Sequence, residues 1–367
     1  MMPDPKIELD APNVGELEKA YLGKAIDQGF VSTLGPFVPE FERRFAELVG
    51  VKSAVSTQSG TAALHVALHQ LGIGPGNEVI VPALTFIASV NPLRYVGATP
   101  VFVDVDMTCW TISPDAIEEA ITPRTKAILP VHLYGCPCPM DEIMAIAGKH
   151  GLCVIEDATE SLGAYYKGTT TGSFGTFGCF SFNGNKVITT GGGGMVTGND
   201  LPAMDHIRFL VNQANDGQNG YFHPEIGFNY RMTNVEAALG LAQLERIDQF
   251  LKKKREFNDI YREELGRIQS IHFQTEQQGG RSSCWLSSVL FDQEIDIPVL
   301  QKELEAKGVP TRRVFMPIVE FPPYKSFKQA DCENAYRIYA HGLCLPSSTL
   351  NSRDQIYYTC GALKELL

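Results

Sequence analysis

The chain has 367 residues, 42 acidic against 31 basic side chains for a formal net charge of −11, and 44% hydrophobic residues. That composition can bury a large core and excludes a disordered or collagen-like chain. The acidic balance argues against coating nucleic acid through a basic field, yet leaves room for one small anion in a locally basic pocket.

The first twelve residues place acids and prolines where a secretory leader needs a basic start and an apolar run. The most apolar region, 79–105, is interrupted by Pro82, Asn91, Pro92, Arg94 and Pro100, so no membrane span is expected. Nine cysteines are scattered without a framework, which points to a reduced, cytoplasmic protein. Cys136 and Cys138 lack the spacing of a zinc site, and no metal is expected.

Short apolar runs recur at Ser53–Ser56, Glu78–Val81, Pro100–Val105, Lys126–Val131, Leu152–Glu156 and Cys179–Phe182. Helical patterns lie between most of them, at Thr61–Leu71, Phe86–Tyr95 and Asp141–His150. Strands alternating with helices imply an α/β fold with a largely parallel sheet, whose ligands gather at the carboxyl ends of the strands. One long helical pattern runs from Thr233, capped by Glu236, to about Glu264, and its second half is charged enough to leave the core and bridge to a second unit. From Ile271 onward the pattern becomes a compact α+β unit. The expected division is a large domain over 1–248, including the N-terminal segment, and a small C-terminal domain over 249–367.

Four features carry chemistry. Ser59-Gly60-Thr61 follows a strand and opens a helix, offering free N–H groups and a positive dipole end to a phosphate, or else simply an N-cap. His65 and His69 stand one helical turn apart on an otherwise apolar helix, and read as a packed pair. Glu156-Asp157 ends an apolar strand, where a carboxylate could keep a ligand nitrogen protonated or could cap a helix. Lys186 follows a strand and a turn and precedes four glycines, Gly191–Gly194. That order excludes a Walker-type loop, and a partly desolvated lysine readily forms Schiff bases. A phosphate cup, a carboxylate for a ring nitrogen and such a lysine are together what pyridoxal phosphate requires, with Phe86 offering a flat face to its ring.

Six motifs occur in order: Ser-Gly-Thr-Ala-Ala-Leu (59–64), Thr-Phe-Ile-Ala-Ser (85–89), Pro-Val-His-Leu-Tyr-Gly (130–135), Val-Ile-Glu-Asp-Ala (154–158), Phe-Ser-Phe-Asn-Gly-Asn-Lys (180–186) and Gly-Phe-Asn-Tyr-Arg-Met (227–232). Across essentially the whole chain the set resembles the DegT/DnrJ/EryC1/StrS family of nucleotide-sugar aminotransferases. The resemblance implies the fold-type I aminotransferase architecture, with a mostly parallel seven-stranded sheet and a small C-terminal α+β domain. It implies Lys186 as the Schiff-base lysine, Asp157 on the pyridinium nitrogen, Ser59, Gly60, Thr61 and Ser181 on the phosphate, and Phe86 on the ring. Glu160 stands where the family usually has a glutamine at the cofactor's phenolic oxygen. Asn229 matches an asparagine that reaches into the neighbouring subunit, which implies a homodimer with shared sites.

His132 and Tyr134 are expected near the site, and Arg231, Arg312 and Arg313 as partners of a diphosphate. Gly192 departs from an acid common in the family, and 316–324 lacks a family histidine, with Val319 in that stretch. The implied reaction is a two-stage transamination from L-glutamate to a nucleotide-linked keto sugar. The motifs point to C4 of a UDP-linked 4-keto-6-deoxy-N-acetylhexosamine, in surface-polysaccharide or glycan biosynthesis. A 3-keto-sugar aminotransferase and a non-catalytic regulator on the same fold are the alternatives; a related dehydratase branch needs histidine at the position of Lys186.

Overall fold

The structure, a computed structural model, describes residues 6–217, 220–292, 294–327 and 330–367. A seven-stranded sheet forms its centre: β1 (Ser53–Thr57), β2 (Glu78–Pro82), β3 (Thr99–Val103), β4 (Thr125–Ile128), β5 (Cys153–Asp157), β6 (Phe177–Ser181) and β7 (Gly194–Gly198), in spatial order β1-β7-β6-β5-β4-β2-β3. The pairs from β3 to β6 are parallel, whereas β7 runs antiparallel to both β1 and β6. The strands are buried almost throughout, which is why they read as continuous apolar runs. Six of the seven coincide with those runs within a few residues. The seventh, β7, is bounded by glycines at both ends and lies outside those runs.

Helices α1 (Glu16–Asp27) and α2 (Phe37–Val49) precede the sheet, and α3 (Gly60–Gln70) follows β1. The Ser59 side chain caps α3 by accepting the N–H of Ala62 at 3.1 Å. Leu64, Val66 and Leu68 on α3 are almost completely buried, each such burial contributing roughly 1.5–3 kcal/mol. The segment expected as a helix over Phe86–Tyr95 is instead a short 3-10 turn, Ile87–Ser89, and a separate helix, Asn91–Tyr95. Pro92 lacks the N–H needed to join them and sits at the start of the second.

The long pattern from Thr233 is likewise two helices, α4 (Asn234–Glu245) and α5 (Ile247–Leu265), parted where Arg246 turns to φ −105°, ψ 0°. The expected capping box is present, with Glu236 accepting the N–H of Thr233 at 2.8 Å. At this break the Arg246 guanidinium reaches Glu18 at 2.8 Å and the Asn13 side chain at 2.9 Å. Beyond the break, Phe257, Ile260, Tyr261 and Leu265 join a second core with Val289, Leu343 and Ile356. That core is built on an antiparallel sheet of β8 (Ile271–Phe273), β9 (Ser287–Phe291), β10 (Arg312–Arg313) and β11 (Gly342–Leu345), closed by α6 (Arg353–Leu366). Ile7 of the N-terminal segment is buried in it too, although it lies in the sequence grouped with the large unit.

One crossing sets the geometry of the sheet's active edge. Strand β7 passes directly beneath the start of α3, so that a Cβ on Gly194 would lie 2.5 Å from the Ser59 carbonyl; from the end of β6, the Ser181 Cβ stands 2.8 Å from where one on Gly60 would lie. Gly192, by contrast, has nothing nearer than 3.6 Å. Gly194→Ala is therefore expected to lower stability by about 1–3 kcal/mol, while Gly192→Ala stays within about 0.5 kcal/mol of the parent. Equal shifts in thermal unfolding for the two variants would contradict this crossing.

Candidate active site

A cavity of about 480 Å³ opens at the carboxyl ends of β5 and β6, beside the start of α3. Its walls include Ser59, Gly60 and Thr61 from α3, Asp157 from the end of β5, Ser181 from the end of β6, and Lys186 from the β6–β7 connection. Phe86 lines it as well and is half-exposed on its rim, 5.4 Å from the ring of Phe315. The volume lies in the range of small-molecule sites.

Each wall group is fixed by local structure. Successive strand residues face opposite ways, so Glu156 and Asp157 part company at the end of β5. Asp157 lines the cavity, is 2% exposed, and accepts the N–H of Thr159 at 3.1 Å. Glu156 points behind the sheet, where the N–H groups of Gly172, Phe174 and Gly175 and the His132 ring all donate to it within 3.0 Å. The lysine turn is closed by Lys186 N–H donating to the Asn183 carbonyl at 2.9 Å. The Lys186 ammonium lies 4.0 Å from the centre of the Trp285 ring and 3.5 Å from Glu160. Trp285 is itself pinned, its indole N–H donating to the Asn185 carbonyl at 2.6 Å.

The donor set fits pyridoxal phosphate. The opening turn of α3 presents N–H groups without intrahelical partners, and the missing Cβ of Gly60 lets Ser181 and Thr159 pack against that turn. A buried carboxylate, an amine and an aromatic face share the same cavity. Among the described residues no group of three or more His, Cys, Asp or Glu is arranged to hold a metal.

The remaining sequence candidates fall in different places. Glu160 lines the cavity and is held by the Tyr134 N–H at 2.9 Å. His132 and Tyr134 do not line it; both are buried behind the wall. The Nδ1 of His132 accepts the Cys138 N–H at 3.0 Å, leaving the proton on Nε2 to donate to Glu156. Tyr134 accepts the Phe315 N–H at 3.0 Å and so supports two wall residues, Glu160 and Phe315, without facing the cavity itself. On the short strand β10, Arg312 faces the cavity while its neighbour Arg313 faces away, stacked 4.3 Å over Tyr339. Arg231 lines a separate groove beside β1, and Asn229 is exposed outside the cavity. His65 packs among Tyr95, Phe228 and Tyr230, with its Nδ1 2.9 Å from the Tyr230 hydroxyl. Of the two family departures, Gly192 lines the cavity and Val319 is buried in the core. Sequence reasoning overlooked Trp285, Phe315 and Asn185; Asn185 directly precedes the lysine and was the most findable.

Residues 12–364 match the DegT/DnrJ/EryC1/StrS aminotransferase family. The chain is 43% identical over 366 residues to the GDP-perosamine synthase of Caulobacter vibrioides, covering 99% of each. It is 42% identical over 354 residues to the GDP-perosamine synthase of Escherichia coli O157:H7, covering 96% of each. Among solved structures, the pyridoxal-phosphate form of the putative sugar aminotransferase Spr1654 from Streptococcus pneumoniae superimposes with a TM-score of 0.93 at 28% identity, covering 99% of this chain and 100% of that one.

Burial raises the Glu160 carboxyl above its usual range, against the pull of the Lys186 ammonium. A carboxyl whose pKa is higher folded than unfolded lends stability that is present below the unfolded value and lost as pH rises through the folded one. Glu160→Gln is thus expected to gain stability relative to the parent as pH rises from the ordinary carboxylate range toward neutrality. Urea unfolding of the cofactor-free proteins across that range checks this, and parallel stability curves would contradict it.

Proposed function

The chain belongs to the DegT/DnrJ/EryC1/StrS aminotransferase family and is a pyridoxal-phosphate-dependent sugar aminotransferase; from that premise we propose that it moves the amino group of L-glutamate to C4 of a GDP-linked 4-keto-6-deoxy sugar. The observation that carries the chemistry is the convergence of Lys186, Asp157 and the open start of α3 on one cavity. The choice of nucleotide is supported by the two relatives at more than 40% identity, both named for a GDP-linked amino sugar. It replaces the UDP-linked N-acetylhexosamine suggested by the motifs alone.

Pyridoxal phosphate, when bound, supplies a carbonyl that condenses with amines and an electron sink for the donor's α-carbon. The chain's own groups do the rest. Ser59, Thr61, Ser181 and the α3 terminus hold the phosphate, and Phe86 stacks on the ring. Asp157, buried in the cavity wall, would hold the proton on the ring nitrogen. The Lys186 amine would take the proton from the donor's α-carbon and hand it on within the same cavity. Trp285, packed against the Lys186 ammonium, shields that amine from bulk water. Glu160 lies 3.5 Å from the same amine.

Two chains form the working unit in this reading. Asn229 lies outside its own cavity, and Phe30, Val31 and Leu34 are 44%, 52% and 68% exposed, an apolar stretch suited to covering by a second copy.

Lys186→Ala is expected to lower kcat by at least about 10²–10⁴-fold, the usual contribution of a positioned acid–base group. With wild-type enzyme and L-glutamate, 2-oxoglutarate release should be fastest with the GDP-linked 4-keto sugar in a panel of GDP-, UDP- and TDP-linked 4-keto and 3-keto sugars. A preference for a UDP-linked or a 3-keto substrate would overturn the proposed specificity while leaving the reaction class intact.

A further inference from the structure

The N-terminal segment crosses the top of the molecule as a strap. Its Ile7 is buried in the core of the C-terminal sheet, and the Leu9 carbonyl accepts the Ser347 N–H at 2.6 Å. Asn351 and Glu8 exchange two hydrogen bonds of 2.8 and 2.7 Å, and the Ser348 hydroxyl donates to the Ala11 carbonyl at 2.9 Å. Farther along, Asn13 is held by Gln243 and Arg246 of the α4–α5 corner. The backbone between these anchors is fixed, and it delivers one side chain inward.

That side chain is Asp10, 11% exposed. A single carboxylate oxygen accepts from the Arg312 guanidinium at 2.8 Å and from the Asn185 amide at 2.9 Å. Asn185 immediately precedes Lys186, and Arg312 lines the same cavity from the small-domain sheet. We propose that Asp10 is a positioning residue of the active site: it holds Arg312 over the cavity as an anion receptor and steadies the turn that presents Lys186.

The physical argument rests on what an arginine does without such a partner. A guanidinium on a long side chain, one-third exposed, samples many rotamers, and ordering it on binding costs side-chain entropy. A carboxylate that engages one edge of the planar fork fixes its orientation and leaves the other N–H groups for a second anion. The pair alone is partly solvated and contributes little to folding. Its use lies in preorganisation. The anion is a group bearing charged oxygens, either a phosphate of the nucleotide sugar or a carboxylate of the amino donor and its keto-acid product.

This inference rests on the nucleotide-sugar aminotransferase reading of the same cavity, and binding to the cofactor-loaded enzyme separates the two. Calorimetric titration with GDP and, separately, with 2-oxoglutarate distinguishes the phosphate from the carboxylate. Asp10→Ala should weaken one of the two probes about 10-fold and Asp10→Asn about 3-fold, while Asp10→Ala combined with Arg312→Ala should bind within about twofold of Arg312→Ala alone, the signature of coupled neighbours. In turnover, Asp10→Ala should raise the KM of the matching substrate more than it lowers kcat. If Asp10→Ala does not fold, Asp10→Asn carries the same comparison. A strap that only staples the domains would lower the unfolding temperature and leave both dissociation constants unchanged. That result, or strictly multiplicative effects in the double variant, overturns the proposal. Wild-type enzyme that binds neither probe would remove the anion-receiving role of Arg312, and the reading of the cavity with it.

Discussion

The structure depends on one close approach of backbones. Strand β7 runs antiparallel between β1 and β6 and passes under the first turn of α3, at distances that admit no side chain on Gly194, while Ser181 at the end of β6 closes the space beside Gly60. Because of that approach, the α3 N-terminus, the end of β6 and the lysine-bearing connection between β6 and β7 open into a single cavity. Gly194 within the four-glycine run is thus the condition for the phosphate end and the lysine end of the site to share one wall. Glycines there cost backbone entropy in the unfolded chain, and extensive burial of α3 against the sheet offsets that cost.

Around this crossing the charged groups are sorted by face. Asp157 looks into the cavity, while Glu156 beside it is consumed by three backbone N–H groups and the neutral His132 ring. Glu156 and His132 therefore stabilise the loop behind the sheet and have no free capacity for a substrate. Tyr134 stands in a second layer, its polar atoms spent on holding Phe315 and Glu160, while Trp285 in the wall holds Asn185. A buried polar network of this kind rigidifies the wall when each member has its partner. The reacting groups stand on that layer, and this is why residues with no reach into the cavity still shape it.

Most of the scaffold was legible because α/β strands buried on both faces leave an uninterrupted apolar signature. Strand β7 was not, since its glycines answer to a tertiary contact and not to strand propensity. The two broken helices were read as continuous because periodicity persists across Pro92 and Arg246, while the chain breaks at a missing N–H in one case and at a residue engaged by distant side chains in the other. In the site, Ser59, Asp157, Ser181 and Lys186 were visible as strand ends and a helix start. His132, Tyr134 and Arg313 lie behind the wall or face away from the cavity, a distinction that depends on which side of a strand or turn a residue takes. Asp10 left no local signal at all, lying 175 positions before the asparagine it holds.

The central claim is that Asp157 and Lys186, brought to one cavity by this crossing, share the proton chemistry of the donor half-reaction. A single-turnover measurement addresses it most directly: cofactor-loaded enzyme mixed with L-glutamate in the absence of any sugar, with 2-oxoglutarate followed by rapid quench for the parent and for Asp157→Asn. The account predicts that the variant retains pyridoxal phosphate but forms 2-oxoglutarate at least about 10²-fold more slowly, because the ring nitrogen no longer holds its proton. An unchanged single-turnover rate in Asp157→Asn would contradict it.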